Sequence, residues 1–207
     1  MNRNFLNLSK IKQENILNVA IGEFANVGYD RASTEIIASK AGISKGSLFN
    51  YFSSKQGLYE DVVDYIMAKV QKEVREVVES IDEKDFYIRL KHLLLTKYYY
   101  ISNHTLEIKL LKDYTNKITE NKNEKIKQYK RIEMEWLQEY LIAYLNFESI
   151  RVDLIIEDII FVTNTLLEAV FRRYDELIHL RDKNRNIDVL EKELNKYITI
   201  LKYGIYK

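Results

Sequence analysis

Three histidines are the side chains in this sequence best suited to metal binding or proton transfer: His92, His104 and His179. Glu176 stands three residues before His179, which is the Glu-x-x-His spacing of di-iron helical bundles. Such a site needs a second motif of the same kind. Neither of the other histidines has an acidic residue three positions before it. A di-iron site is therefore not predicted.

Other patterns for catalysis are also missing from the sequence. There is no Cys, which excludes disulfides, thiol catalysis and thiolate zinc sites. The sequence contains no glycine-rich phosphate loop, no Walker motif and no serine nucleophile elbow. We therefore predict that the chain is not an enzyme and that it carries no metal and no cofactor.

The composition predicts a soluble, all-α protein. Of 207 residues, 46% are hydrophobic and 30% are charged, with no Pro and only six Gly. Sheet-rich domains of this size use Gly and Pro in their many turns. The longest uncharged runs have nine residues, about half of a membrane span, and the first residues lack the apolar run of a secretory signal. We expect a cytoplasmic protein without a membrane partner.

The sequence changes in glycine content and charge near residue 57, which divides the predicted helices into two groups. Five of the six Gly lie in residues 1–57, which carry seven Lys or Arg against four Asp or Glu, whereas the rest carries 25 against 27. We predict a small, slightly basic head over 1–57 and a larger helical domain over 58–207. Helical spacing predicts about nine helices in all, of which the later ones span 55–80, 82–101, 106–118, 132–147, 149–180 and 187–205.

Residues 33–52 have the pattern of a helix-turn-helix. Ser33 and Ser44 are suited to cap the two helices, and Gly42 can adopt the positive φ of the turn between them. Apolar side chains point inward, while the outer face of the second helix carries Ser44, Lys45, Ser47, Phe49, Asn50 and Tyr51. On DNA, an exposed Phe suits a thymine methyl or a sugar, and an Asn suits adenine.

The surroundings of this motif resemble the N-terminal domain of the TetR family of transcriptional regulators over about residues 9–69. The resemblance is carried by Phe-Ala-Asn-Val-Gly-Tyr at 24–29, Ile-Ala at 37–38, Ala-Gly-Ile-Ser-Lys-Gly-Ser-Leu-Phe-Asn-Tyr-Phe at 41–52, Ser-Lys at 54–55 and Leu58. Two residues depart from the family pattern. Phe49 stands where Tyr is more common, so a hydroxyl contact to phosphate is lost, and Asn50 often corresponds to His, which alters base preference.

The resemblance implies an N-terminal three-helix DNA-binding domain, followed by a larger C-terminal helical domain for ligand sensing and dimerisation. It implies a bacterial homodimeric repressor that a small molecule releases from a palindromic operator of double-stranded DNA. By position, the implied DNA-binding residues are Ser33, Ser44, Lys45, Gly46, Ser47, Phe49, Asn50, Tyr51 and Lys55. A helical adaptor or scaffold that binds no DNA is the alternative, and it would leave the outer face at 44–51 unexplained.

The last two predicted helices carry the apolar pattern of a subunit interface. Residues 149–180 have two apolar stripes, which indicates burial on two sides. With 187–205 they resemble half of the four-helix dimer interface of the family, although a large monomeric core would show the same pattern. The predicted interface residues are Ile159, Val162, Leu166, Val170, Leu190, Leu194, Tyr197 and Leu201.

Aromatic residues of the larger domain suit a pocket for an apolar or aromatic effector. The chain has sixteen Tyr, many of them in this domain, and aromatic walls favour such ligands. Most of these rings would also serve as ordinary core residues. The predicted pocket residues are Trp136, Tyr140, Phe161 and Asn164.

Overall fold

The computed structural model describes residues 1–117, 124–178 and 183–205, and its described elements are helical, which confirms the all-α prediction. Ten α-helices are present in this part of the chain, against about nine predicted, together with a short 3-10 helix at Phe147–Ser149. They are α1 Arg3–Leu6, α2 Lys10–Arg31, α3 Thr34–Lys40, α4 Lys45–Phe52, α5 Lys55–Glu79, α6 Phe86–Asn103, α7 Thr105–Lys117, α8 Glu124–Ile142, α9 Ile156–Ile178 and α10 Lys183–Ile205.

Two helix boundaries differ clearly from the prediction. Helix α9 begins at Ile156, not at 149. The backbone N–H of Arg151 donates to the carbonyl of Ile205 at 3.0 Å, and the Arg151 guanidinium bonds to Asp153, so this segment is tied to the end of α10 instead of joining a helix. Helix α8 begins at Glu124, not at 132. The prediction misses its first two turns because they are polar and carry little apolar periodicity.

The chain forms two compact units that alternate along the sequence. The first comprises Met1–Lys72 with His104–Lys130, and the second comprises Glu73–Asn103 with Arg131–Lys207. The predicted head at 1–57 falls inside the first unit. Its boundary with a ligand-binding and dimerisation domain at 58–207 stays a prediction.

The core of the first unit is built around α2. Leu17 and Phe24 of this helix are buried together with Ile37 of α3 and Leu48 of α4. Aromatic rings extend the core toward α7, because the Tyr59 ring lies 4.9 Å from Phe24 and 5.8 Å from Tyr114 between centroids. The helix-turn-helix is thereby packed into one core with the longer helices α2, α5 and α7.

In the second unit, α10 contacts both α6 and α9. Leu90 and Leu93 of α6 are fully buried, as are Leu190 and Leu194 of α10. Arg89 is buried beside them and donates to the carbonyls of Val78, Ile81 and Glu83, so it caps the C-terminal end of α5. No helix in the described ranges has an apolar stretch long enough to cross a bilayer.

Candidate nucleic-acid interface

Helix α3 is fixed at its first turn by groups from α2 and from its own cap. The Ser33 hydroxyl accepts from the Ile36 N–H at 3.4 Å, which confirms Ser33 as the N-cap. Glu23, buried in α2, accepts from the Ser33 N–H at 3.3 Å, and its other oxygen lies 3.6 Å from Lys40 Nζ. The buried Glu23 carboxylate therefore fixes the start of α3 to α2.

The turn between α3 and α4 has the predicted geometry. Gly42 has a φ of 68°, and the Ile43 N–H donates to the Ala38 carbonyl at 3.0 Å across the turn. Asn15 of α2 donates to the Ala41 carbonyl at 3.1 Å and ties the turn to the core. Gly28 also has a positive φ, 78°, but the helix resumes after this kink and continues to Arg31.

Helix α4 presents its predicted outer face at the surface. Ser44 caps it by accepting from the Ser47 N–H at 3.0 Å. Leu48 and Phe52 are buried and hold the opposite side of the helix to the core. The side chains of Ser44, Lys45 and Asn50 and the backbone at Gly46 are exposed, while Ser47, Phe49 and Tyr51 are half-buried.

The two predicted cations have partners in their own chain. Lys45 Nζ lies 2.5 Å from Glu35 Oε1, and this hydrogen bond lowers the pKa of Glu35. Lys55 Nζ donates to the Asp30 carbonyl at 3.1 Å and lies 4.9 Å from the centroid of the Tyr29 ring. Lys45 is therefore an exposed, paired cation, whereas half-buried Lys55 fastens α5 to the end of α2.

Sequence reasoning missed α1, which lies against α4. The Phe5 ring is fully buried, 4.9 Å from the Phe52 ring and 6.0 Å from the Tyr51 ring. Asn2 and Asn4 both donate to Asn50, the former to its backbone carbonyl and the latter to its side-chain oxygen. The available signal was Asn2, an N-cap residue type three positions before an aromatic residue.

Two of the predicted pocket residues lie together. The Trp136 and Tyr140 rings are stacked with centroids 5.4 Å apart, and Trp136 Nε1 donates to Glu79 at 3.1 Å. The Arg75 guanidinium lies 4.8 Å from the Trp136 ring. On α9, Phe161 is 71% exposed and Asn164 is half-buried. The assignment of these four residues to an effector pocket stays a prediction.

The predicted interface residues differ in burial. Five of them are buried within the single chain: Ile159, Val170, Leu190, Leu194 and Leu201. A groove of about 330 Å³ between α9 and α10 is lined by residues that include Ile159, Val162, Leu166, Tyr197, Ile200 and Leu201. On the same two helices, Phe161, Ile200 and Tyr203 are 71%, 69% and 78% exposed. The assignment of the eight residues to a subunit interface stays a prediction.

The histidines form no metal site in the part of the chain that the structure describes, where no group of three potential ligands is present. His104 Nδ1 lies 3.2 Å from Glu107 Oε1. His179 lies outside the described residues.

An exposed, capped second helix on a three-helix core defines a helix-turn-helix protein of the kind that places this helix on a nucleic acid. The model of the "Bacterial regulatory proteins, tetR family" matches residues 16–62. Residues 16–62 are therefore similar to the N-terminal domain of TetR-family transcriptional regulators, as the sequence resemblance implies.

Two relatives have similar sequences over the N-terminal half. The HTH-type transcriptional regulator YerO of Bacillus subtilis is 30% identical over 121 residues, and the HTH-type transcriptional regulator QacR of Staphylococcus aureus is 28% identical over 120 residues. These alignments cover 57% and 56% of this chain but only 40% and 64% of the relatives. The relatives are named as regulators and not as enzymes, in agreement with the prediction.

Solved structures share the fold over the whole chain. A TetR-family regulator from Mesorhizobium loti has a TM-score of 0.69 at 18% identity, covering 97% of this chain and 100% of its own. One from Chloroflexus aurantiacus has a TM-score of 0.66 at 18% identity, covering 100% of this chain and 98% of its own. The helices beyond the aligned N-terminal half therefore share their fold with these structures at low sequence identity.

Proposed function

We propose that this protein is a homodimeric transcriptional repressor that a small molecule releases from a palindromic DNA operator. The observation that carries the proposal is the two-sided character of α4. Leu48 and Phe52 anchor one side in the core, and the side from Ser44 to Asn50 is open to solvent. A rigid helix with a polar outer face and an aromatic residue on it suits the major groove of a duplex.

The chemistry of this face suits phosphate as well as bases. The N-terminus of α4 carries the Ser44 and Ser47 hydroxyls. Hydroxyls and helix N-termini bind phosphate oxygens without requiring many cations. This accounts for DNA binding by a chain whose net charge is only +1. Lys45 adds one exposed positive charge beside these donors.

The exposed apolar surface on α9 and α10 supports a homodimer. Phe161, Ile200 and Tyr203 are large and solvent-exposed in the single chain, and Ile200 lines the groove between the two helices. Exposed large apolar side chains gathered around an apolar groove are typical of a protein–protein contact. A second copy related by a two-fold axis would cover it, and a two-fold dimer reads a palindrome.

Helix α5 supports a route from effector to DNA. Tyr140 donates to the Val78 carbonyl near the C-terminal end of α5, and Lys55 at its N-terminal end is bonded to α2. An apolar or aromatic effector that displaces Trp136 or Tyr140 would shift α5 and with it the helix-turn-helix. The expected coupling is on the order of 1–3 kcal/mol.

The test is selection of bound duplexes by the full chain from a pool of DNA with a randomised core, followed by titration of the selected duplex. We expect a palindromic motif, and we expect Lys45→Glu to lower affinity at least tenfold and to reduce the salt dependence by about one phosphate contact or more. Arg131→Glu, an exposed arginine of α8, is the matched control. Failure to bind any duplex would favour the adaptor alternative. Binding without a preferred motif, or an unchanged affinity of the Lys45→Glu variant, would contradict the proposed recognition of an operator by α4.

A further inference from the structure

We propose that Asn4 of α1 is a positioning residue for Asn50 and thereby sets part of the base preference of the DNA-binding surface. This inference rests on the proposed function, because it assumes that α4 lies in the major groove. It adds to that function a short helix that precedes the helix-turn-helix.

The contact that carries the inference joins the two side-chain amides. Asn4 Nδ2 donates to Asn50 Oδ1 at 3.2 Å, and Asn2 Nδ2 donates to the Asn50 backbone carbonyl. Asn4 and Asn50 are both exposed, at the surface where α1 packs on the last turn of α4. The amide of Asn50 is therefore oriented by α1 before any duplex arrives.

Helix α1 is held firmly enough to act as a support. Phe5 is fully buried against Phe52, and its N–H donates to Asn2 Oδ1 at 3.1 Å. Buried Gln13 of α2 donates to the carbonyls of Leu6 and Leu8 at 3.0 and 2.9 Å. These contacts fix the backbone of α1, so Asn4 is presented to Asn50 from a support that is itself held by the core.

The hydrogen bond from Asn4 favours one orientation of the Asn50 amide. An Asn pairs with adenine in two places, accepting from N6 through its oxygen and donating to N7 through its nitrogen. In this structure the oxygen of Asn50 accepts from Asn4, and because an amide oxygen has two lone pairs it can accept from adenine N6 as well. Asn4 therefore fixes which way the amide faces and so favours the two-point contact with adenine.

The charge around α1 favours the approach of a duplex on this side. Residues 1–13 contain Arg3, Lys10 and Lys12 and no acidic residue. Arg3 is exposed, next to Asn4 in sequence. A basic, acid-free segment beside the end of α4 attracts the phosphate backbone irrespective of base sequence.

The experiment compares the motifs that full-length variants select from a duplex pool with a randomised core. We expect the wild-type protein to prefer adenine at one position of each half-site, and Asn50→Ala to lose that preference. Asn4→Ala should weaken the preference at the same position by roughly five- to tenfold, because the Asn50 amide is then no longer oriented. In the Asn50→Ala background, Asn4→Ala should change nothing further, because it acts through Asn50.

Asn7→Ala is the matched control, since it makes the same chemical change on an exposed residue at the end of α1. The inference is overturned if Asn4→Ala selects the wild-type motif, as Asn7→Ala should, or if Asn50→Ala leaves every position unchanged. Those results would leave the proposed function standing. A wild-type protein that selects no motif at all would remove the proposed function itself, so the two failures are distinguishable.

Discussion

At the scale of single residues, the outer face of the helix-turn-helix is already engaged with its own chain. Lys45 is bonded to Glu35, Lys55 to the Asp30 carbonyl, and Asn50 to Asn4. A bound duplex must therefore replace some of these contacts and leave others in place. The sequence predicts the N-caps at Ser33 and Ser44 because their bonds reach only three residues along the chain, but partners 10 to 46 residues away depend on packing and leave no local signal.

The pair between Glu35 and Lys45 leads to the first residue-scale prediction. Glu35→Gln should raise affinity for DNA several-fold and increase the salt dependence by about one contact, because it removes a negative charge and frees the cation. Fluorescence anisotropy titrations over a range of salt concentrations measure both effects. Glu135→Gln, which removes an acid from the Arg131 pair in α8, should have no effect. Equal or weaker binding by Glu35→Gln would contradict the prediction.

The second residue-scale prediction concerns alkaline pH. Burial, together with the charge of Asp113, raises the pKa of Tyr59 to about 12. In the unfolded chain this phenol ionises near pH 10. The neutral form is therefore favoured by folding, and its stabilising contribution is complete below about pH 10 and is lost as the pH rises through about 12.

Urea denaturation between pH 9 and pH 12 tests this assignment, with Tyr59→Phe as the comparison. The variant cannot ionise at this position, so its free energy of unfolding should fall less steeply than that of the wild type. Parallel pH profiles for the two proteins would show that Tyr59 does not contribute.

At the scale of helices, the sequence predicts that a helix is present more reliably than it predicts where that helix begins and ends. For α5 the sequence predicts residues 55–80, and the helix spans Lys55–Glu79. The agreement is close because the apolar stripe of this helix is regular and Ser54 precedes it. Helix α1 escaped prediction because four residues are too few to show a period. The start of α9 was placed too early because the apolar residues Val152 and Ile155 continue its pattern although they are exposed and outside the helix.

The junction of α4 and α5 gives the element-scale prediction. A Cβ at Gly57 would overlap the carbonyl oxygen of Phe52, so the backbone at the end of α4 must shift to accept a side chain. Gly57→Ala should therefore destabilise the protein by about 1–3 kcal/mol despite the better helix propensity of Ala. Gly22→Ala is the control, because a Cβ there meets nothing within 4 Å and should stabilise α2 by about 1 kcal/mol.

Chemical denaturation of the two variants measures both changes. DNA binding should weaken in Gly57→Ala as well, since the shift moves the last turn of α4, where Asn50 lies. A Gly57→Ala protein as stable as Gly22→Ala would show that the junction is less closely packed than described.

At the scale of the whole molecule, sequence periodicity identifies apolar helices but does not show which stripe faces a partner. On α9, Ile159 and Val170 are buried, whereas Phe161 is 71% exposed. The apolar period does not reveal this difference, because it depends on how α10 packs against α9. The predicted partner surface accordingly moves toward Phe161, Ile200 and Tyr203.

This assignment predicts that Phe161→Glu and Tyr203→Glu convert a dimer into a monomer, because each places a charge in the proposed apolar contact. Analytical ultracentrifugation measures the change. Affinity for a duplex with two half-sites should fall together with dimerisation. Ile11→Glu is the control, because it introduces the same charge at an apolar residue of α2 that is 81% exposed. It should leave the oligomeric state unchanged. Variants that remain dimers would place the interface elsewhere.

The division of α4 into an anchored side and an open side has an evolutionary consequence. Folding constrains Leu48 and Phe52, whereas exposed Lys45 and Gly46 can be exchanged at little cost to the core. Descendants of one ancestral gene can therefore acquire new targets by drift at the open positions. Asn50 is the exception, because its partner on α1 ties it to a second site, and a lineage that replaces one of the two amides would be under pressure to replace the other.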